Sequence, residues 1–202
     1  MYKKHHTKGI IIGSQIEGSD SRRANIFTES FGLLSARVQG ARNAHSKLRS
    51  GSQDFSFGEF SLVHGKSGWR VVSVRSRINY FESLRHSASK LKIAGNVLNL
   101  IKKLVAEDAQ TSLASTKPSA ESGLFSVISN FFAFLMKARE QDIALAECLT
   151  LLRILHILGY MRHDPELLIP MSSSEIEIKD LEKIAPMRSK IVQLINESLK
   201  AT

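Results

Sequence analysis

Hydrophobic and polar positions alternate with a period of two through the first 80 residues and then change to a helical period. The clearest alternation is at 33–39, where Leu34, Ala36 and Val38 interleave with Leu33, Ser35, Arg37 and Gln39, the spacing of a strand with one buried face. Similar runs predict strands over 8–16, 23–28, 33–39, 54–64 and 69–80, with turns at 18–20, 30–32 and 65–68. Nine glycines and no prolines accompany them, and five short runs of this kind predict an antiparallel barrel or sandwich. Gly40 is placed to end the third strand, and Gly58 sits mid-strand, where glycine marks a bulge or barrel corner.

After Phe81 the apolar residues Leu84, Ala88, Leu91, Ala94, Leu98, Ile101 and Val105 recur at three- and four-residue spacing, which puts them on one stripe. Gly95 is expected to divide that stretch into two helices. Residues 109–122, rich in Thr, Ser and Lys and containing Pro118, read as a linker. Beyond it, 124–139 presents Phe125, Ile128, Phe132, Leu135 and Met136 at helical spacing. Residues 142–158 are apolar nearly all round, as expected for the buried central helix of a bundle, with Gly159 and then Asp164-Pro165 as its stop. A last helix over 187–199 would dock through Ile191, Leu194, Ile195 and Leu199. The class predicted is α+β, a barrel over 1–80 followed by an all-α helical domain over 81–202.

Charge changes the picture. Of the net charge of +9, residues 1–80 carry +8, with 13 Lys and Arg against 5 Asp and Glu, whereas 81–202 carry 15 against 14. Such asymmetry points to an anionic partner on the N-terminal half. The stretch after Gly40 holds Arg42, His45, Lys47 and Arg49 with no acid among them, and Asn43, Ser46 and Ser50 add hydrogen-bonding groups suited to phosphate oxygens. Arg22, Arg23 and Arg37 lie on neighbouring strands, and Arg70, Arg75 and Arg77 share a strand with Trp69 and Tyr80. A small barrel presenting Arg, Lys and exposed rings suits single-stranded nucleic acid, whose phosphates are neutralised while its bases stack.

Other chemistries find little support. Gly65-Lys66-Ser67 lacks the upstream glycine of a P-loop, since Phe60 stands there, and a strand rather than a helix follows; it reads as a hairpin turn. A KH-type clamp would need flanking helices. No spacing among the seven histidines and Cys148 resembles a metal site, so no metal or cofactor is expected, and Cys148 reads as a small buried apolar residue. Glu17, Asp20, Glu29, Asp54 and Glu59 are too scattered for a two-metal nuclease, and no nucleophile motif appears, so the chain is not expected to be an enzyme. The single cysteine, the short apolar run at 10–12 and the charges interrupting 143–160 lead to the expectation of a cytoplasmic, soluble protein.

Residues 8–80 resemble the N-terminal domain of the RecO recombination mediators. The features that carry the resemblance are Gly9-Ile10-Ile11-Ile12, Asn25-Ile26-Phe27-Thr28, Phe31-Gly32-Leu33-Leu34, and Gly40-Ala41-Arg42 followed by Ser46-Lys47-Leu48-Arg49. The run Leu151 to Tyr160, ending in Leu-Gly-Tyr, is similar to the family's closing helix. The resemblance implies an OB-fold barrel followed by helices, and a nucleoid-associated protein without catalytic activity. It also implies binding of single- and double-stranded DNA, annealing of complementary strands, and partnership with RecR and single-strand binding protein in loading RecA. By position, Arg37, Arg42, Lys47 and Arg49 would contact DNA. Many relatives carry a four-cysteine zinc module after the Leu-Gly-Tyr helix, where this chain has 164–180 without cysteine. An RNA-binding OB module or a non-catalytic protein adaptor is the alternative reading from residues alone.

Overall fold

A computed structural model describes residues 3–43, 45–46, 48–111, 118–161, 167 and 173–200, with the side chains of 106–111 and 118–122 excepted. Five strands, β1 (Lys4–Glu17), β2 (Ser21–Thr28), β3 (Gly32–Val38), β4 (Ser56–Gly65) and β5 (Gly68–Asn79), close into a barrel in the order β1-β2-β3-β5-β4. All neighbours are antiparallel except β3 and β5, which run parallel through Ala36–Trp69 and Arg37–Arg70. A short helix α1 (Leu48–Gly51) lies between β3 and β4. This is OB topology, as the resemblance implied.

Alternation along the strands fills the barrel. Ile11, Ala24, Ile26, Leu34, Ala36, Val38, Phe60, Leu62 and Val71 form one buried core, against which Phe31, Leu48, Trp69 and Val74 pack. The register of β1 against β2 shifts between Ile11 and Gly13, and that of β4 against β5 shifts at Phe57/Gly58 and Ser61/Leu62. These bulges bend the strands enough for five of them to close. Gly58 is required at its bulge, because a Cβ there would lie 2.4 Å from the Arg75 carbonyl oxygen. Gly40, at φ +70°, ends β3 in a conformation that side chains resist.

Two ring expectations are corrected. Tyr80 is buried rather than exposed, with its ring 5.8 Å from that of Phe57. Trp69 is half-buried, held among Phe31 (5.4 Å), His5 (5.5 Å) and His64 (4.9 Å). Both sit at ends of β5 where rings complete the core, so neither stands out as a free stacking platform.

The helices begin immediately after β5. Asn79 Oδ1 accepts from the Glu82 amide at 3.2 Å and caps α2 (Tyr80–Leu84). Then come α3 (Ala88–Thr111), α4 (Pro118–Lys137), α5 (Glu140–Ile157), α6 (Ile178–Ile184), a 3₁₀ turn (Ala185–Met187) and α7 (Arg188–Lys200). Helix α3 runs straight through Gly95, against the expected division, and no Cβ-sized gap or clash constrains that position. The buried residues Ala94, Val97, Leu98 and Ile101 outweigh the roughly 1 kcal/mol that a helical glycine costs. The expected linker is corrected at both ends, since Ala109–Thr111 and residues 118–122 are helical; its middle, 112–117, lies outside the described residues. Helix α6 had no sequence expectation.

By contacts the chain groups into two compact units, residues 1–86 with 98–121, and residues 87–97 with 122–202. In the second, α5 is the buried element, with Ile143, Ala146, Leu149, Leu152, Ile154 and Leu155 inside. It ends at Gly159 (φ +79°), whose amide donates to the His156 carbonyl while Tyr160 N reaches Leu155 O. Asp164-Pro165 lies outside the described residues. Arg153, 1% exposed, is carried on this helix; its Nη1 donates to the Glu175 carbonyl at 2.8 Å and its Nη2 lies 3.9 Å from Asp180 Oδ2. Among the described residues no helix is long and apolar enough to cross a membrane, and no group of three His, Cys, Asp or Glu could hold a metal ion.

Candidate nucleic-acid interface

The strand register puts three arginines in line. Arg23 on β2 is directly opposite Arg37 on β3, which is directly opposite Arg70 on β5. Because the core-facing partners Ala24, Ala36 and Val71 alternate with them, all three guanidinium stems leave the outer face. Strand neighbours are about 4.7–4.9 Å apart, so the row crosses roughly 10 Å of surface. Like charges placed directly opposite one another oppose folding. Only one carboxylate answers them among the described residues: Glu17 Oε1 accepts from Arg23 Nη2 at 2.6 Å and Oε2 lies 3.9 Å from Arg37 Nε. Arg37 Nη2 also reaches Ser21 Oγ at 3.5 Å, while Arg70 has no ion pair among the described residues and borders a pocket of about 150 Å³ with Lys66 and Ser67 of the β4–β5 turn.

A second group collects at one end of the barrel. Arg22 is opposite Val38, on the core-facing side of β2 at its end, and with Arg42, Arg49, Ala41 and Gln53 it lines a pocket of about 250 Å³. Arg42 is anchored there: its Nη1 donates to the Ser19 carbonyl at 2.9 Å and its amide to the Asp20 carbonyl at 3.3 Å. These bonds tie the loop after β3 to the β1–β2 turn. Lys47 lies outside the described residues.

A third pair stands farther along β5. Arg77 donates to Glu59, and Arg75 is opposite Glu59, which is itself opposite Lys8. The Arg77 guanidinium first, then Arg75 and Lys8, hold the Glu59 carboxyl below the usual carboxylate range. Arg77 therefore has an internal partner.

The nine expected residues thus separate into a row (Arg23, Arg37, Arg70), an end pocket (Arg22, Arg42, Arg49) and a pair beside Glu59 (Arg75, Arg77), of which Arg77 is bonded to it, with Lys47 undescribed. Sequence reading passed over Lys66, whose turn is brought beside Arg70. Its only sequence signal is a cation in a tight turn of a basic barrel. In OB folds the face of strands 2 and 3 with the β1–β2 and β4–β5 loops takes oligonucleotides, and the row with Lys66 lies there.

Comparison with known proteins bears on the barrel as a whole. Residues 1–81 match the family model described as recombination protein O N terminal. Similar proteins include the DNA repair protein RecO of Alkaliphilus metalliredigens, 31% identical over 106 residues, covering 52% of this chain and 42% of that one. RecO of Desulfitobacterium hafniense is 28% identical over 156 residues, covering 77% and 52%, and RecO of Synechocystis is 32% identical over 114 residues, covering 56% and 42%. The matches span about half the length of these relatives. The matched barrel, its OB topology and these relatives support kinship with the RecO family, carried by the N-terminal domain over residues 1–81.

Proposed function

We propose that this chain acts in DNA repair and recombination by binding single- and double-stranded DNA along the Arg23–Arg37–Arg70 row, flanked by Lys66, and by annealing complementary strands. The observation that carries this reading is the row itself. Three guanidiniums stand in file on one face at a cost to folding, with one carboxylate between them, and an external polyanion supplies the missing counter-charge. Annealing asks for phosphate repulsion to be screened while base edges stay free, which arginines on a barrel face accomplish without a chemical step. The reading therefore includes no enzymatic activity and no cofactor. Arg75 and Arg77 extend the path along β5, and residues 1–80 are taken as the nucleic-acid-binding domain with 81–202 as a helical domain for protein partners. Those partners are RecR and single-strand binding protein, with RecA served indirectly, in the cytoplasm at the nucleoid.

The test is a salt titration and an annealing assay on the full chain. Single-stranded DNA binding should lose a slope of about 1.4 in log affinity against log salt when Arg37 and Arg70 are both replaced by Ala, since each single-strand phosphate contact contributes about 0.7. Annealing of complementary strands coated with single-strand binding protein should be accelerated without ATP by the parent and much less by the variant. An unchanged slope would place the strand elsewhere. Tighter binding of matched RNA than DNA would favour the RNA-binding alternative.

A further inference from the structure

We infer that the end pocket lined by Arg22, Arg42, Arg49, Ala41 and Gln53 is a phosphomonoester site, which takes the terminal phosphate of a nucleic-acid strand. This rests on the DNA-binding reading but concerns a different group of residues. Three guanidiniums arrive from three elements: Arg22 from β2, Arg42 from the loop after β3, and Arg49 from α1. No carboxylate lines the pocket. That separates it from Arg23 and Arg37, which have Glu17, and from Arg77, which has Glu59. Arg22 and Arg49 make no side-chain hydrogen bond or ion pair among the described residues. The Arg42 backbone amide donates to the Asp20 carbonyl and its guanidinium Nη1 to the Ser19 carbonyl, so its remaining N–H groups are presented from a fixed position. Preorganised guanidiniums without an internal anion form a receptor for an external one.

Size and charge choose the ligand class. At about 250 Å³ the pocket is smaller than the roughly 300–1,000 Å³ of sites that enclose a whole small-molecule ligand. It accommodates one tetrahedral anion with its water rather than a nucleotide. An internal phosphodiester carries one negative charge and two ester groups that must leave the concavity. A terminal monoester carries between about −1.5 and −2 near neutral pH and offers three free oxygens, which three guanidiniums match better. Recognition of strand ends would set the register of a strand lying along the Arg23–Arg37–Arg70 row.

The experiment uses the full chain and one short, internally labelled oligonucleotide in three forms, with a 5′-phosphate, with a 3′-phosphate and with hydroxyl ends. Fluorescence anisotropy should show one phosphorylated form binding about tenfold tighter than the hydroxyl form, the gain of one added charge-assisted contact. Which form does so identifies the end recognised, and inorganic phosphate should compete for the difference alone. The ratio should collapse towards one in Arg49→Gln, an exposed position, and separately in Arg22→Gln. It should survive in Arg37→Ala, although that variant binds every form more weakly. Lowering the pH through about 6, where the monoester gains a proton, should also reduce the ratio. Equal affinities for all three forms in the parent, or a preference that persists in both Arg49→Gln and Arg22→Gln, overturns the proposal. Failure of the hydroxyl-ended strand to bind would instead count against the row.

Discussion

Glu17 Oε1 accepts from Arg23 Nη2 at 2.6 Å, and the same carboxylate reaches toward Arg37, so one internal anion occupies the side of the arginine row nearest the β1–β2 turn. It stands where a backbone phosphate would meet two of the three guanidiniums. Glu17→Gln should therefore tighten single-stranded DNA binding and steepen its salt dependence. Such half-exposed pairs are worth about 0.2–1 kcal/mol, which sets the gain at no more than about fivefold. Weaker binding by the variant in an anisotropy titration would mean that Glu17 orients the arginines for DNA instead of competing with it.

Gly58 and Gly9 are opposite each other across β1 and β4. An added Cβ at Gly58 would meet backbone at 2.4 and 2.9 Å, whereas one at Gly9 would meet the Ile26 side chain at 2.9 Å and the Phe27 carbonyl oxygen and Phe60 ring at 3.2 Å. Backbone cannot swing aside as a side chain can, so Gly58→Ala should be the costlier change, about 2–3 kcal/mol, through strain at the bulge. Chemical denaturation of the two variants checks the order.

Burial pushes the Tyr80 hydroxyl up to about 12 from an ordinary value near 10. A folded-state value above the unfolded one means that the unfolded chain loses this proton first as pH rises. The contribution to stability is thus complete below about pH 10 and is lost between about 10 and 12, roughly 3 kcal/mol in all. Tyr80→Phe should remove that part of the alkaline decline in stability. A tyrosinate absorbance titration showing Tyr80 ionising near 10 in the folded protein would contradict it.

Asp180 serves twice, accepting from the Glu177 amide at 3.3 Å at the start of α6 and lying 3.9 Å from the buried Arg153. Asp180→Ala removes a cap and an opposite charge 3.9 Å from a guanidinium that burial already penalises, so a loss of about 3 kcal/mol is expected. Arg153→Met should cost less, because it takes the charge away with its partner's need. A larger loss for Arg153→Met in thermal unfolding would show that the carbonyl of Glu175 depends on Arg153 more than the ion pair does.

Residue order alone determined which faces the strands bury, where glycines stop β3 and α5, that helices follow the fifth strand, and that positive charge gathers before residue 80. Those are local properties: side-chain alternation, the left-handed freedom of Gly40 and Gly159, and helical spacing act within a few residues. The tertiary structure decided what depends on distant partners. Alternation put Arg37 outward, but only the register of β3 against β2 and β5 put Arg23 and Arg70 beside it. That register is set by bulges and by closure of the barrel, which a period of two does not encode. Tyr80 and Trp69 read as exposed because each sits beside polar residues, yet the ends of a five-stranded barrel need large rings to complete the core. Gly95 read as a break because its propensity is local, whereas the packed residues around it hold α3 as one helix. The gathering of Arg22, Arg42 and Arg49 into one pocket needed the same closure, since 27 positions separate the first from the last and only the folded barrel brings them together.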